Sequence, residues 1–435
     1  MLYEISEEAK KEILNYCDNY EIFIEKSKTL ELDSQKSNLN FAKEEVNFGV
    51  GIRVIKDNKL GFAFTSDINQ ISKTAKQAYL NTKLNESDKN FGFSQKEKEI
   101  KVKKTFDSKV QDLSVDDGID FLKSMLNTVE EEKCEVTSGG FSSTFKESLI
   151  INSNDVSIYD KGTGVGAGIA VNAYSGEELS TAYDSESSRF FDLNGEELVQ
   201  NVCKIAKDSL GGEVIETGDK TVVLDYHASA GLLSTFIASF SADNVQRGRS
   251  ILKDKIGENI VSSNLSITND STLEKGLMSG KCDGEGVNSK KTVLVSEGKL
   301  KSFIYDIYTS NKDNVKSTSN GYRSSYSTTP QVSPSNLIFD FSKEIDISEI
   351  KNGFISTDVL GAHTANPISG DFSVEANNSF LIENGEITKP VKKAMISGNI
   401  FNILKDCNKL KSENKQQGPF IIPKILINSL RVVGQ

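Results

Sequence analysis

The chain has only two histidines in 435 residues, His227 and His363. A metal centre built on two or three imidazoles therefore has almost nothing to draw on. His227 follows the apolar run Thr221-Val-Val-Leu-Asp225, at a strand-to-helix junction of the kind that often carries function in α/β chains. Ser229 and Ser234 are close in sequence, but neither sits in a G-x-S-x-G elbow, and a satisfied histidine at a helix start is the plainer reading. His363 lies in Gly361-Ala-His-Thr-Ala-Asn-Pro-Ile-Ser-Gly-Asp371. That segment suits a binding loop on a rigid scaffold, and equally a turn held by its Asn and Asp side chains. Asp243-Asn-Val-Gln-Arg-Gly-Arg-Ser250 places Arg247 and Arg249 on a glycine turn. Such a pair can clamp a carboxylate or phosphate, and can also be ordinary surface. Cys282-Asp-Gly-Glu-Gly286 offers a thiol and two carboxylates, without the three converging ligands that a metal needs. Gly162-Thr-Gly-Val-Gly-Ala-Gly168 begins like a dinucleotide loop, but Ile169 stands where the third glycine belongs. It also leads into an alternating strand, so glycines serving a bulge or close strand packing are expected.

The elements around these residues follow a repeated order. Ala9, Ile13 and Tyr16 mark a helix begun by Ser6, and Ile22, Ile24, Leu30 and Leu32 mark strands. Phe48–Ile55 and Gly61–Thr65 flank Lys56-Asp-Asn-Lys59 as a hairpin, and an amphipathic helix follows Asp67. A helix over about 115–132, strands from Gly140 to Tyr183 and a helix over about 195–210 repeat that order. Gly49-Val-Gly-Ile-Arg-Val54 pairs with Gly166-Ala-Gly-Ile-Ala-Val171, which indicates an internal duplication joined by the charged stretch 85–109. The turn-rich segment 211–220 divides residues 1–215, mixed α/β, from residues 216–435, mainly β. In the second unit, a helix is expected over about 228–242, hairpins turn at Glu297-Gly298 and Asn384-Gly385, a short helix spans about 400–407, and Ile425–Val433 is a strand.

Composition limits the function classes. Lys and Arg number 51 against 62 Asp and Glu, a net charge of −11, and no basic stripe offsets it. Direct nucleic-acid binding is therefore not expected. No basic and apolar leader opens the sequence, no window reaches 18 apolar residues, and five scattered cysteines form no C-x-x-C pair. A cytoplasmic protein with reduced thiols and no membrane span is expected.

Taken in order, several segments resemble the TldD/PmbA family, known as DNA-gyrase modulators and as metallopeptidase subunits. The resemblance runs from about Thr221 to the C-terminus. It rests on Asn244-Val-Gln-Arg-Gly-Arg-Ser-Ile-Leu-Lys-Asp-Lys-Ile-Gly257, Asp283-Gly-Glu-Gly-Val287, Asn366-Pro-Ile-Ser-Gly-Asp-Phe-Ser373, Ile382-Glu-Asn-Gly-Glu-Ile387 and Ile396-Ser-Gly-Asn-Ile400. It implies a two-domain α+β fold with a β-rich, barrel-like C-terminal domain. TldD-type members carry H-E-x-x-x-H on the helix after the first strand of that domain, and a cysteine near the C-terminus completes the zinc site. Here Ser234, Thr235 and Ser239 stand at the His, Glu and His positions, and Lys415-Gln-Gln-Gly-Pro-Phe-Ile-Ile-Pro423 holds no cysteine. Hydroxyls are poor zinc ligands, so no metal and no cofactor are expected.

The resemblance thus points to the PmbA (TldE) branch, a non-catalytic subunit acting with a TldD-like zinc peptidase or as a homodimer on unfolded peptides. His363, Asn366, Gly370, Asp371, Phe372 and Ser373 are the candidate peptide-contacting residues, since an extended substrate can bind by strand addition. Two alternatives stand beside it. One is an independent hydrolase around His227, Ser229 and the His363 loop; the other is a regulator that binds other proteins.

Overall fold

The computed structural model describes residues 1–434; Gln435, the last residue of the expected second unit, lies outside them. Chain order sets up the first sheet. Helix α1 (Leu2–Leu14) leads into strands β1 (Tyr20–Gln35), β2 (Asn38–Lys56) and β3 (Lys59–Thr65), then helix α2 (Ile71–Thr82). After the stretch from 83 to 107 and the short helix α3 (Ser108–Asp112), the order repeats. It runs through α4 (Val115–Glu131), β4 (Glu135–Asn152), β5 (Ser157–Ser175), β6 (Glu178–Ser188) and α5 (Gly195–Asp208). The six strands form one antiparallel sheet in the order β3-β2-β1-β4-β5-β6, so the two copies meet back to back at β1 and β4. The internal duplication is thus real, and the matched segments at Gly49 and Gly166 both lie on the middle strand of their copy. Two cores form, and β1 and β4 contribute to both. Ile22, Ile24, Val50 and Ile52 pack under α1 and α2. Leu30, Phe141, Ile169 and Val202 pack in the cluster under α4 and α5.

Local chemistry explains these elements. Asp57 and Asn58 both take positive φ, 53° and 58°, and make the tight turn that joins β2 to β3. Ser114 and Asp117 form a reciprocal capping box at the start of α4. Three expectations need correction. The first helix begins at Leu2, with Ser6 buried inside it and donating to the Tyr3 carbonyl, because apolar burial outweighs a weak cap. Ile22 to Leu32 lie on one long strand, since β1 is paired along its whole length on both sides. The helix after Asp225 is shorter than expected: α6 spans Tyr226–Ile237, a 3-10 turn covers Ala238–Phe240, and α7 spans Ala242–Gln246. Ser241 breaks the run by adopting an extended conformation, which lets the Ala242 amide donate to the Ile304 carbonyl.

The second unit starts with β7 (Gly218–Leu224). Strand β7 pairs with Asn352–Leu360 on one side and Ile425–Gly434 on the other. Asp371–Glu383 and Ala394–Asn399 complete the circuit, closing a five-strand barrel. A second sheet is a half-barrel of Leu265–Asp270, Lys291–Ser296, Lys299–Leu300, Leu337–Phe341, Lys415–Gln417 and Phe420–Ile422. Helix α6 is apolar on most faces because it fills the space between them, with Leu232, Leu233 and Phe236 in the largest core. The Gly162–Gly168 segment lies within β5, as a strand with no helix N-terminus to hold a pyrophosphate. Among the described residues no helix is long and apolar enough to cross a membrane.

Candidate functional site

Asp225 caps α6 by accepting from the Tyr226 amide, and Lys424 holds its other oxygen at 2.8 Å. The stretch 415–423 forms a hairpin turning at Gly418 and packs beside α6, where the Tyr226 hydroxyl donates to the Glu413 carbonyl at 2.9 Å. The loop after the barrel strand Asn352–Leu360 reaches the same helix at Gly231, where an added Cβ would meet Val359 and Ala362 at 3.3 and 3.4 Å. The tertiary structure therefore gathers α6, the 415–423 hairpin and the 361–365 turn.

Within this arrangement the three hydroxyl residues are not equally exposed. Ser234 is exposed and its hydroxyl donates back to the Gly231 carbonyl at 2.6 Å. Thr235 and Ser239 are buried, Ser239 on the 3-10 turn beyond the helix and its hydroxyl without a hydrogen-bond partner among the described residues. Alcohol oxygens, one turned to a carbonyl and two on buried residues, do not fit zinc. No cluster of three His, Cys, Asp or Glu side chains occurs among the described residues to replace them.

His227 meets the first sheet instead. Its Nε2 lies 2.5 Å from Asp184 Oδ1 on β6, and the ring is half-buried. Burial works against the charged ring, but the hydrogen bond and charge of Asp184, backed by Asp358 and Asp225, outweigh it and raise the pKa. A raised folded-state pKa contributes stability that is full below the ordinary histidine value and is lost as pH rises through the folded value. His227→Gln is therefore expected to cost more stability at pH 6 than at pH 8.5, measured by urea denaturation at both; an equal cost would remove the ion pair from the account. Ser229 is fully buried and donates to the Leu224 carbonyl at 3.0 Å, and His363 is exposed on its 3-10 turn. The three residues of the independent-hydrolase reading form no hydrogen-bonded relay.

The 361–373 loop is stabilised chiefly by itself. Asn366 Oδ1 accepts from the amides of Ile368 and Ser369, and the Ser369 hydroxyl and Asn399 amide both donate to the Asp371 carboxylate. Gly370 takes φ +82° against Phe401, where an added Cβ would lie 2.4 Å from the ring. Phe372 is buried, and His363 and Ser373 are exposed. Asn366, Gly370, Asp371 and Phe372 thus have structural work within the turn, and none of the loop lines the two cavities between the units.

Those cavities flank a buried charge network that the sequence reading missed. Arg53 on β2 donates to both oxygens of Glu21 on β1, at 2.8 and 2.6 Å, and lies 3.4 Å from Glu285. Arg323 donates to Glu21 from the other side and to the Gly284 carbonyl. Glu285 also accepts from the Ile307 amide at 2.7 Å, and Asp283 accepts from the amides of Glu285, Val287 and Gly321. Burial alone would raise the pKa of Glu21, but the Arg323 and Arg53 guanidiniums outweigh it and hold the carboxyl low. At Glu285 burial wins, aided by the Asp283 and Asp306 carboxylates against Arg53, and pushes the pKa up to about 8. The signal was present: Glu21 and Arg53 interrupt the apolar runs Tyr20–Ile24 and Val50–Ile55. Two cavities lie beside this network, one of about 400 Å³ facing Arg323 and one of about 670 Å³ facing Arg53 and Glu285. Both fall within the size range of ordinary ligand sites.

The chain is similar to known proteins over its whole length. Residues 20–82, 108–210 and 217–434 match, in turn, the PmbA/TldA metallopeptidase domain 1, central domain and C-terminal domain. The chain belongs to the PmbA/TldD family. An uncharacterized protein of Methanocaldococcus jannaschii is 36% identical over 93% of this chain and 94% of its own length. TldE of Thermococcus kodakarensis shares the fold, with a TM-score of 0.93 at 24% identity over 99% of this chain and 100% of that one. A protein of Thermotoga maritima described as a modulator of a DNA gyrase has a TM-score of 0.91 at 26% identity, over 98% and 100%.

Proposed function

We propose that this chain is the PmbA/TldE-type subunit of a cytoplasmic peptidase system, and that it does not cut peptides itself. Its two units, residues 1–215 and 216–435, help to enclose the chamber in which unfolded peptide is held. Catalysis comes from a TldD-like zinc subunit, and the chain pairs with a second copy of itself when that subunit is missing. One observation carries the reading: the residues matched to the family's ligand and base positions, Ser234, Thr235 and Ser239, are one exposed and two buried hydroxyls, which are poor zinc donors. The cysteine-free hairpin 415–423 beside α6 supports it. The His363–Ser373 loop, whose first turn packs against α6, remains the proposed place for peptide contact. The net charge of −11 favours protein and peptide partners over nucleic acid.

The test is zinc per chain, by elemental analysis of protein purified without a metal-affinity tag, together with hydrolysis of an unfolded protein substrate. Less than about a tenth of an equivalent of zinc is expected, since a site without ligands retains none. No turnover is expected from the chain alone, and turnover is expected once a TldD-type subunit is added. Near-stoichiometric zinc that survives dialysis, or turnover by the chain alone, would overturn the subunit reading.

A further inference from the structure

The sequence contains only six arginines among its 51 basic residues, at positions 53, 189, 247, 249, 323 and 431. Three of them, Arg53, Arg247 and Arg249, line the 670 Å³ cavity at the end of α6, and no lysine lines it among the described residues. A chain that supplies most of its positive charge as lysine uses arginine here. The distinction is chemical, because the planar guanidinium offers paired N–H donors that match a carboxylate and lysine does not.

The three arginines are not equivalent. Arg53 is buried and already committed to Glu21 and Glu285. Arg247 donates to Asp243 at 2.8 Å. Arg249 is exposed, and its guanidinium has no ion-pair partner among the described residues. Its backbone is nevertheless fixed. The Arg249 amide donates to the Asn244 carbonyl at 2.8 Å, Gly248 takes φ +70°, and the buried Ser250 hydroxyl donates to the Ser239 carbonyl at 2.7 Å. The turn noted in the sequence is thus pinned to the 3-10 segment that follows α6. The rest of the wall is mixed: Ile237, Ile304, Val332 and Pro330 form an apolar stretch, with Tyr308 stacked on Phe91 at 5.1 Å, among polar side chains such as Asn244 and Gln331. Asp243, Glu285 and Asp306 also face the cavity, but Arg247 engages the first, Arg53 lies 3.4 Å from the second, and the third caps the helix Ile307–Asp313.

We propose that this cavity binds the free C-terminal carboxylate of a peptide through Arg249, with the apolar wall taking the last side chain. The site would select chain ends over internal segments. The proposal rests on the peptide-handling reading above, and the test separates the two. A fluorescein-labelled pentapeptide ending in leucine is titrated against the full chain, both as the free acid and as the C-terminal amide. The acid is expected to bind about tenfold more tightly than the amide, as a charge-assisted contact implies. Arg249→Gln should remove that difference and leave the amide unchanged, and Arg249→Lys should restore only part of it. Equal binding of acid and amide by the unaltered protein, with either at measurable affinity, would overturn the carboxylate site and leave peptide binding standing. Binding of neither peptide would overturn both. Displacement of the acid by inorganic phosphate at a tenth of the acetate concentration needed would identify a phosphate site and overturn the assignment.

Discussion

Replacing Arg53 by methionine is expected to cost about 3–5 kcal/mol of folding stability, the range for breaking a buried ion pair by removing one partner. Arg53 makes a two-point contact with Glu21, and both side chains are nearly inaccessible, at 7% and 0% exposure. Removing the guanidinium leaves Glu21 with Arg323 alone, and leaves Glu285 beside two carboxylates and no cation in contact. The loss should appear as a lower urea midpoint at pH 7. Because the network joins β1 and β2 to segments 283–287 and 321–323 of the second unit, the two units should also separate more readily. The double variant Arg53→Met with Glu21→Gln also strands the buried Arg323, whose carboxylate partner is Glu21, and should be less stable than the single variant. Equal instability of single and double variants would show that packing of the Arg53 stem, not charge, is what matters.

The second large effect is on pH dependence. The folded state holds the Glu285 proton up to about pH 8, because burial and the Asp283 and Asp306 carboxylates disfavour its charge. In the unfolded chain the same carboxyl ionises near pH 4.3. Over that window the folded state binds a proton that the unfolded state has released, so stability falls as pH rises and levels off above about 8. While one whole proton is at stake the slope is ~1.4 kcal/mol per pH unit. Asp283, pushed up to about 6 chiefly by burial, adds a like contribution over a narrower range. Glu21 acts in the opposite sense and at lower pH, since its carboxyl is held below its ordinary value and its contribution is lost on acidification. Glu285→Gln cannot ionise, so its stability should fall less steeply than that of the unaltered protein between pH 5 and pH 8. Urea denaturation across that range checks it, and identical slopes for the two proteins would place the titrating proton elsewhere.

Much of the fold could be read in the sequence because the signals were local. Paired Asp57-Asn58 between apolar runs dictates a tight hairpin, and Ser114 with Asp117 dictates a helix start. The Gly49 and Gly166 segments revealed the duplication because each copy needs the same alternation on its middle strand. Even so, the glycines answer different demands: side chains at Gly49 and Gly51 would collide with the Tyr326 ring and its carbonyl, a contact from the distant second unit. Where the sequence misled, a long-range partner had decided the outcome. The helical run after Asp225 breaks at Ser241, where the Ile304 carbonyl captures the Ala242 amide, and that acceptor lies more than sixty residues away.

The site divides in the same way. By itself the sequence determined the family and the scarcity of histidine and arginine, since these are matters of residue identity. Only the tertiary structure decided which of the singled-out residues meet. It tied His227 to Asp184, gave Asn366 and Asp371 to the loop's own hydrogen bonds, and left Arg249 facing a cavity beside Arg53. It also gathered Glu21, Arg53, Glu285 and Arg323, which span more than three hundred residues of chain, into one buried network. The reason is physical. Periodicity and turn chemistry act over a few residues, whereas the desolvation of a charge depends on every element that closes over it.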